Sequence, residues 1–434
     1  MKKIIQSIVY GGVAVLLLRA TGCKKDYTNP NAATSVQVFS SAKGLAGIAV
    51  GLQRTYANNV AYGISDATGL LTGETILLNA GNGSELQFAT GGNAVDGTNA
   101  LLGNLWSATN KVIYDANNVI NAAATLNDKA YASGLIDYAT IFKALSMGCQ
   151  SGYWEKVPDT VGTAAATFSD RLVGYNKAVA AIDKALAAIN TNAISTAFVA
   201  DIPVGVDIVN TLNALKARYA LFAGNYAQSL AAANAVDLTK KSTLNFEAAN
   251  PNPIYNTVTS TNNVYQPVDS TLGLPAGIQP SLNDKRIPFY TRINATINPR
   301  FRLNGFWIAA TTPIPLYIPD EMRLIRAECY LRQSAPNLVL AKADIDAVLM
   351  QTPAQDPFGV GADIATGYTG TIDAPSLLTE FYRNRCIELF LSGMKLEDMR
   401  RFARPLTERK RNLLPYPFRE RDGNSNTLPT LPFS

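Results

Sequence analysis

The chain has 434 residues with 38 basic and 33 acidic side chains, a formal charge of +5 and not a single histidine. An apolar share of 47 % with few charges suits a folded helical protein and argues against disorder, and nothing in it supplies the basic stripe a nucleic-acid binder needs. Without histidine there is no Ser-His-Asp or Cys-His relay and no imidazole ligand for a metal, so catalysis would have to rest on carboxylates, Tyr or Lys.

Residues 1–22 read as an export leader. Lys2 and Lys3 open it, and a mostly apolar run over 4–18 follows, too short for a comfortable membrane span. Loss of Lys2, Lys3 and Arg19 with the leader lowers the charge by three, to +2. Ala20, Thr21 and Gly22 stand before Cys23. A small residue directly before a cysteine at the end of such a core resembles a bacterial lipobox, which implies cleavage before Cys23 and its acylation. Ordinary secretory cleavage, leaving Cys23 a free thiol, is the other reading. Two or more acyl chains hold a protein firmly, since each buried methylene adds about 0.8 kcal/mol. Residues 23–35 are polar and read as a flexible tether.

Beyond the tether the dominant signal is helical period. Val112, Ala116, Val119, Ile120 and Ala123 form one stripe, and Leu135, Ala139, Phe142 and Leu145 a second, with Asn127 or Asp128 placed to cap it. A third runs through Leu172, Tyr175, Val179, Ile182, Leu186 and Ile189, opened by Ser169 or Asp170. A fourth holds Leu212, Leu215, Tyr219 and Phe222; Gly224 breaks it, and a short Ala-rich helix starts at Tyr226. "ALKARYALFAGNYAQSLAAANAV" and "EMRLIRAECYLRQSAPNLVLAKADIDAVL" share one helix–turn–helix plan, with small residues such as Ala327 and Ala341 at the crossings. They look like degenerate tetratricopeptide units, which must stack to bury their apolar faces.

These two units are separated. Ten of the 22 prolines lie between residues 251 and 319, which excludes a long helix, and the same stretch holds Tyr255, Tyr265, Phe289, Tyr290, Phe301, Phe306 and Trp307. It reads as a lobe of loops and short strands over 240–319, set on a helical scaffold formed by 36–239 and 320–434 within one domain, 36–434. A second polar stretch, rich in Gly and Asn, covers 81–99. A last helix is expected over 377–391, followed by a basic and then Pro-rich tail. Cys149, Cys329 and Cys386 each sit in an apolar helical pattern and read as buried thiols. The predicted fold class is therefore all-α: a tetratricopeptide-like scaffold of helix pairs carrying an irregular ligand-binding lobe.

Five segments in order carry a resemblance to the RagB/SusD family over nearly the whole chain. They are "LWSATNKVIYDANNVI", "YWEKVPDT", "EMRLIRAECYLR", "RNRCIELFLSGMKLEDMRRF" and "LLPYPFRERDGNSN". The second has Glu155-Lys156 where the family has Gly-Asp, the fourth enters through Arg385-Cys386, and the last has Tyr416 for Ile. The resemblance implies a lipid-anchored outer-membrane protein facing the cell exterior. It would capture oligosaccharide or another large nutrient as the lid of a TonB-dependent barrel of the SusC type, without catalysis, cofactor or metal.

Sugar rings offer apolar C–H faces edged with hydroxyls, so exposed aromatic rings flanked by amides and charged groups suit them. In the lobe this points to Trp307, Tyr255, Tyr265 and Tyr290 for stacking, with Arg292, Asn262, Asn263 and Asn304 for hydroxyls. The resemblance adds the loop ahead of the Leu105 helix, hence Asn82, Asn93 and Asn104. Trp106 and Trp154 read as core, and Glu328 and Glu388 as structural ion-pair partners of nearby arginines such as Arg326 and Arg385. Two other functions compete: an envelope-tethered tetratricopeptide scaffold binding proteins, and a hydrolase using two carboxylates. The aromatic-rich excursion disfavours the first, and the lack of an evident carboxylate pair disfavours the second.

Overall fold

The computed structural model describes residues 39–259 and 263–429. The leader, Cys23, the tether and Asn262 lie outside the described residues. Helix α1 (Ala42–Thr55) starts at Ser41, whose hydroxyl accepts from the Gly44 amide, and runs through a π-helical turn into α2 (Tyr62–Leu71). Strand β1 (Thr75–Leu77) and α3 (Gly83–Thr90) precede three long helices: α4 (Ala100–Ala123), α5 (Lys129–Tyr153) and α6 (Arg171–Thr191). The caps settle what the sequence left open. The Asp128 carboxylate accepts from the Tyr131 amide and Asp170 from that of Leu172, each satisfying an amide that has no partner inside its helix. Part of the polar stretch 81–99 is helical after all, because α3 packs on α2 and shields Phe88 in the core.

A two-stranded clip, β2 (Lys156–Pro158) with β3 (Phe168–Asp170), joins α5 to α6. The chain continues through α7 (Thr196–Asp201), α8 (Ile208–Phe222) and α9 (Tyr226–Asn234). Gly224 takes φ +80 between α8 and α9, which lets the Asn225 amide reach back to the Ala220 carbonyl and close α8. Helix α5 is buried on nearly every side, as a helix apolar all round must be. At Gly148 the α8 residue Tyr219 approaches so closely that a Cβ would stand 2.2 Å from its ring.

The lobe follows. Strand β4 (Thr243–Leu244) lies at its start and β8 (Ile314–Pro315) at its end, and the two pair with each other, Leu244 opposite Ile314. Between them run α10 (Pro253–Thr259), β5 (Tyr265–Pro267), α11 (Arg286–Tyr290), β6 (Thr291–Ile293) and β7 (Phe301–Leu303). Strand β5 pairs with β1, and β6 with β7. The chain then re-enters helix with α12 (Pro319–Leu331), α13 (Leu338–Met350), α14 (Ala374–Glu388), α15 (Lys395–Arg401) and the short α16 (Phe418–Gly423). Helix α14 stops short of the predicted Leu391, which adopts φ +56. The helix pairs α8/α9 and α12/α13, far apart in sequence, are neighbours in space, α9 lying against α12. Clipping the lobe at its neck lets the stack continue across it. The three cysteines are free and buried among these helices.

A chain of alternating charges holds the junction. Arg218 on α8 grips Glu321 on α12 through two bonds of 2.7 and 2.6 Å. Glu321 also faces Arg385 of α14 at 3.8 Å, Arg385 bonds Asp398 of α15 at 2.7 Å, and Asp398 accepts from Arg401 at 2.6 Å. Arg401 ends on Glu328, which also takes Arg332 at 2.7 Å. Burial weighs against the charge on Arg218, but Glu321 beside it more than restores it, so its pKa rises above the usual arginine range. Glu328 and Glu388 are thus structural partners as expected, though of different arginines. Glu388 meets Arg286 at 3.1 Å, Arg326 turns to Asp344 and Arg385 to Asp398, because these contacts lie on neighbouring helices rather than along one.

Arg385 has no solvent exposure, so Arg385→Ala leaves Glu321 to Arg218 alone and Asp398 to Arg401 alone, and should cost about 3 kcal/mol in urea unfolding, with a lower midpoint. Asp137 lies inside α5, where burial pushes its carboxyl up to about 8 against the opposing Ser133 hydroxyl. The folded chain holds that proton more tightly than the unfolded one, so the stability this group gives is full at low pH. It is lost as pH climbs from about 4 to about 8. Asp137→Asn should therefore raise the melting temperature above about pH 8 and leave it unchanged near about pH 4, in thermal melts followed by circular dichroism.

Candidate functional site

The three strongest aromatic candidates are not on the surface. Tyr265 and Tyr290 have no exposure and Trp307 only 3 %. Tyr290 and Trp307 stack at 5.8 Å between centroids, 29° apart, and Phe306 and Phe390 close the cluster. The Tyr290 hydroxyl donates to the Glu388 carbonyl, and burial first, with Glu388 second, drives its pKa well up. These rings anchor the lobe to the helices beneath it. The cavity they border holds about 90 Å³, smaller than the roughly 150 Å³ that admits a benzene, so it takes no sugar ring. As stacking faces for a surface ligand these residues are therefore corrected to core. The lobe has to bury its own apolar surface against the scaffold, and its largest rings do that.

Among the described residues two open grooves contain or adjoin the sequence candidates. The first, about 530 Å³, lies between the first turns of α4 and α16. Its walls include Thr98, Asn99, Asn104, Ser107, Phe418 and Arg419. Phe418 is 51 % exposed, its ring held out by a helix that the Pro417 backbone starts. Asn104 and Arg419, both exposed, make no hydrogen bond or ion pair among the described residues, whereas Asn99 is spent on capping α4 and on Ser84 and Gln87 of α3. Beneath lies Trp106, whose indole donates to Glu420 at 2.9 Å while its ring meets Trp154 edge-on at 4.8 Å. Both tryptophans are core, as the sequence suggests. Thr98 is fixed by Asp96, whose carboxyl its hydroxyl and amide hold below the usual range.

The second groove, about 290 Å³, is walled by α10, β5 and the β6–β7 hairpin. Asn263, Gln266, Arg292, Asn294 and Arg302 line it. Tyr255 stands one turn ahead of Val258 and Thr259 on α10, which also line the groove, and is half buried. The segment from Leu78 into α3 is bonded to residues at or beside both grooves. At its start Asn82 bonds the Asn79 carbonyl, and the Leu78 and Asn79 amides both donate to Val264, next to Asn263. At its other side Ser84 and Gln87 accept from Asn99.

The sequence candidates thus divide. Arg292 and Asn263 share the second groove, Asn104 lies in the first, and Asn82 sits between them. Asn93 is exposed on a turn tied down by Arg411 and Lys410, and Asn304 is spent on the Pro288 carbonyl. Asn104 is on a helix, not in a loop. Phe418, Arg419 and Arg302 were missed. Phe418 and Arg419 belong to the "LLPYPFRERDGNSN" tail, and an aromatic–basic pair just after a Pro was the available signal.

No protein-family model matches the chain, and no curated protein does. Solved structures do. A SusD superfamily protein from Bacteroides fragilis superposes with a TM-score of 0.68 at 15 % identity, covering 90 % of this chain and 99 % of that one. The chain has a SusD-like fold. A SusD-like carbohydrate binding protein from Bacteroides vulgatus gives 0.64 at 14 %, covering 82 % and 83 % of the two chains. A laminarin binding SusD-like protein gives 0.60 at 13 %, covering 90 % and 98 %. At such identities the likeness is one of SusD-like architecture, which agrees with the all-α class read from the sequence.

Proposed function

We propose that this SusD-like chain captures oligosaccharide at the groove between α4 and α16 and performs no chemistry on it. The observation that carries the reading is Phe418. An exposed ring beside an amide and a guanidinium that the protein leaves unpaired offers an apolar face and hydroxyl partners together, which is what a sugar ring presents in complement. Two of the structures it resembles are described as carbohydrate or laminarin binding. With the lipobox-like Cys23, the reading extends to a lipid-anchored outer-membrane protein that closes over a TonB-dependent SusC-type barrel and hands it the ligand. Among the described residues no helix is long and apolar enough to cross a membrane, which fits attachment through an anchor.

Calorimetric titration with laminarin-type and other soluble oligosaccharides is expected to show binding that Phe418→Ala weakens about tenfold, with Arg419→Ala acting in the same direction. Absence of binding to every oligosaccharide by folded protein, or release of reducing ends, would count against it. Gentle detergent extraction of the tagged protein from its native membrane should bring down a large TonB-dependent barrel in near-equal amount. Recovery of soluble envelope proteins instead would favour a protein-binding scaffold.

A further inference from the structure

The second groove has a feature that neutral sugar binding does not call for. In the β6–β7 hairpin Arg292 stands directly opposite Arg302. Residues opposed in this way project from the same face, and like charges so placed repel. Both arginines line the groove, and among the described residues no acidic one does. Among the described residues neither arginine has a carboxylate partner: Arg302 is used on the Pro299 and Phe301 carbonyls, and Arg292 makes one long bond of 3.5 Å to the Leu303 carbonyl. Sequence excludes rescue from nearby, since residues 254–268 and 285–303 contain no Asp or Glu. At the helical junction the buried arginines Arg218, Arg385 and Arg401 each face a carboxylate, whereas Arg411, like Arg302, is spent on backbone carbonyls. Burial, and Arg292 after it, lower the pKa of Arg302. The hairpin thus holds two positive charges together at a cost that an anion would remove.

We propose that the groove between α10 and the β6–β7 hairpin binds an oxyanion substituent of the ligand, a carboxylate or a sulfate, through the forked donors of Arg292 and Arg302. Arginine suits this better than lysine because its planar fork meets two oxygens of one group at once. Amides line the rest of the groove: Asn294 is turned into its own loop, and Gln266 is spent on Asn263, Val258 and the Leu303 amide. Selectivity for the charge therefore falls to the two arginines. That the oxyanion is borne by a sugar rests on the glycan-binding reading above; the anion site itself does not.

The test is a titration of the full chain with D-glucuronate, D-glucose 6-sulfate and D-glucose, alongside a neutral oligosaccharide. At least one of the two anions should bind, more weakly as sodium chloride is raised, and glucose should not. The better of the two anions identifies the oxyanion. Arg292→Gln, at an exposed position, should lower that affinity at least about tenfold and leave the melting temperature of the free protein unchanged or higher, since it relieves the repulsion. Arg302→Gln should do the same to affinity and serves as the second variant. If neither anion binds, or both arginine variants bind them as well as the wild type, the anion site is wrong, and a neutral oligosaccharide that still binds leaves the proposed function standing. Arginine-dependent anion binding without any oligosaccharide binding would keep the anion site and remove the glycan reading.

Discussion

Everything in this fold hangs on a buried line of alternating charges. Arg218 belongs to the helices before the lobe; Glu321, Arg385, Asp398, Arg401 and Glu328 belong to those after it. Taking such charges out of water costs several kcal/mol per ion, so the line adds little net stability over an apolar core of equal volume. What it does supply is intolerance of error. A slip of one helix against another would leave a charge buried alone, so α8, α12, α14 and α15 have one acceptable arrangement. Phe222, the last residue of α8, has the Arg385 and Arg401 guanidiniums over its ring at 5.6 and 5.2 Å, which ties the end of α8 to the same line.

That fixed junction allows the long detour of the lobe. Seventy-odd residues could leave the helical stack without disturbing it only if their ends met, and the β4–β8 pair brings them together. The lobe then spends its best apolar side chains on attachment. Tyr290 and Trp307 face inward onto Phe390, and Tyr265 sits in the strand that pairs with β1. The surface left for a ligand is consequently polar and basic on the lobe side, with Arg292 and Arg302, and aromatic on the side of the C-terminal tail, with Phe418. The segment that leads from Leu78 into α3 bonds Val264, next to Asn263, at one end and Asn99 at the other.

Local rules carried the sequence reading a long way. Asp128 and Asp170 cap their helices because a cap acts over two or three residues, and Gly224 ends α8 because only glycine takes φ near +80 without strain. The cysteines and both scaffold tryptophans are buried because their apolar periodicity admits little else. The site was far less legible. A tyrosine in a Pro-rich stretch reads the same whether its ring faces water or a helix 98 residues on, as that of Tyr290 does toward Glu388. Phe418 is the converse case: a residue in an unremarkable tail, left at the rim of a groove only because α16 settles against the start of α4.

By itself, then, the sequence determined the helical class, the capped starts of the long helices, the two stacking units and the detour between them, since each depends on contacts within a turn or so of chain. Tertiary structure alone decided which arginine meets which carboxylate, which rings are buried, and that Arg292 faces Arg302. Those outcomes turn on contacts between segments as much as 226 residues apart, as with Arg171 and Glu397, and a side chain's type does not encode the partner that folding brings to it.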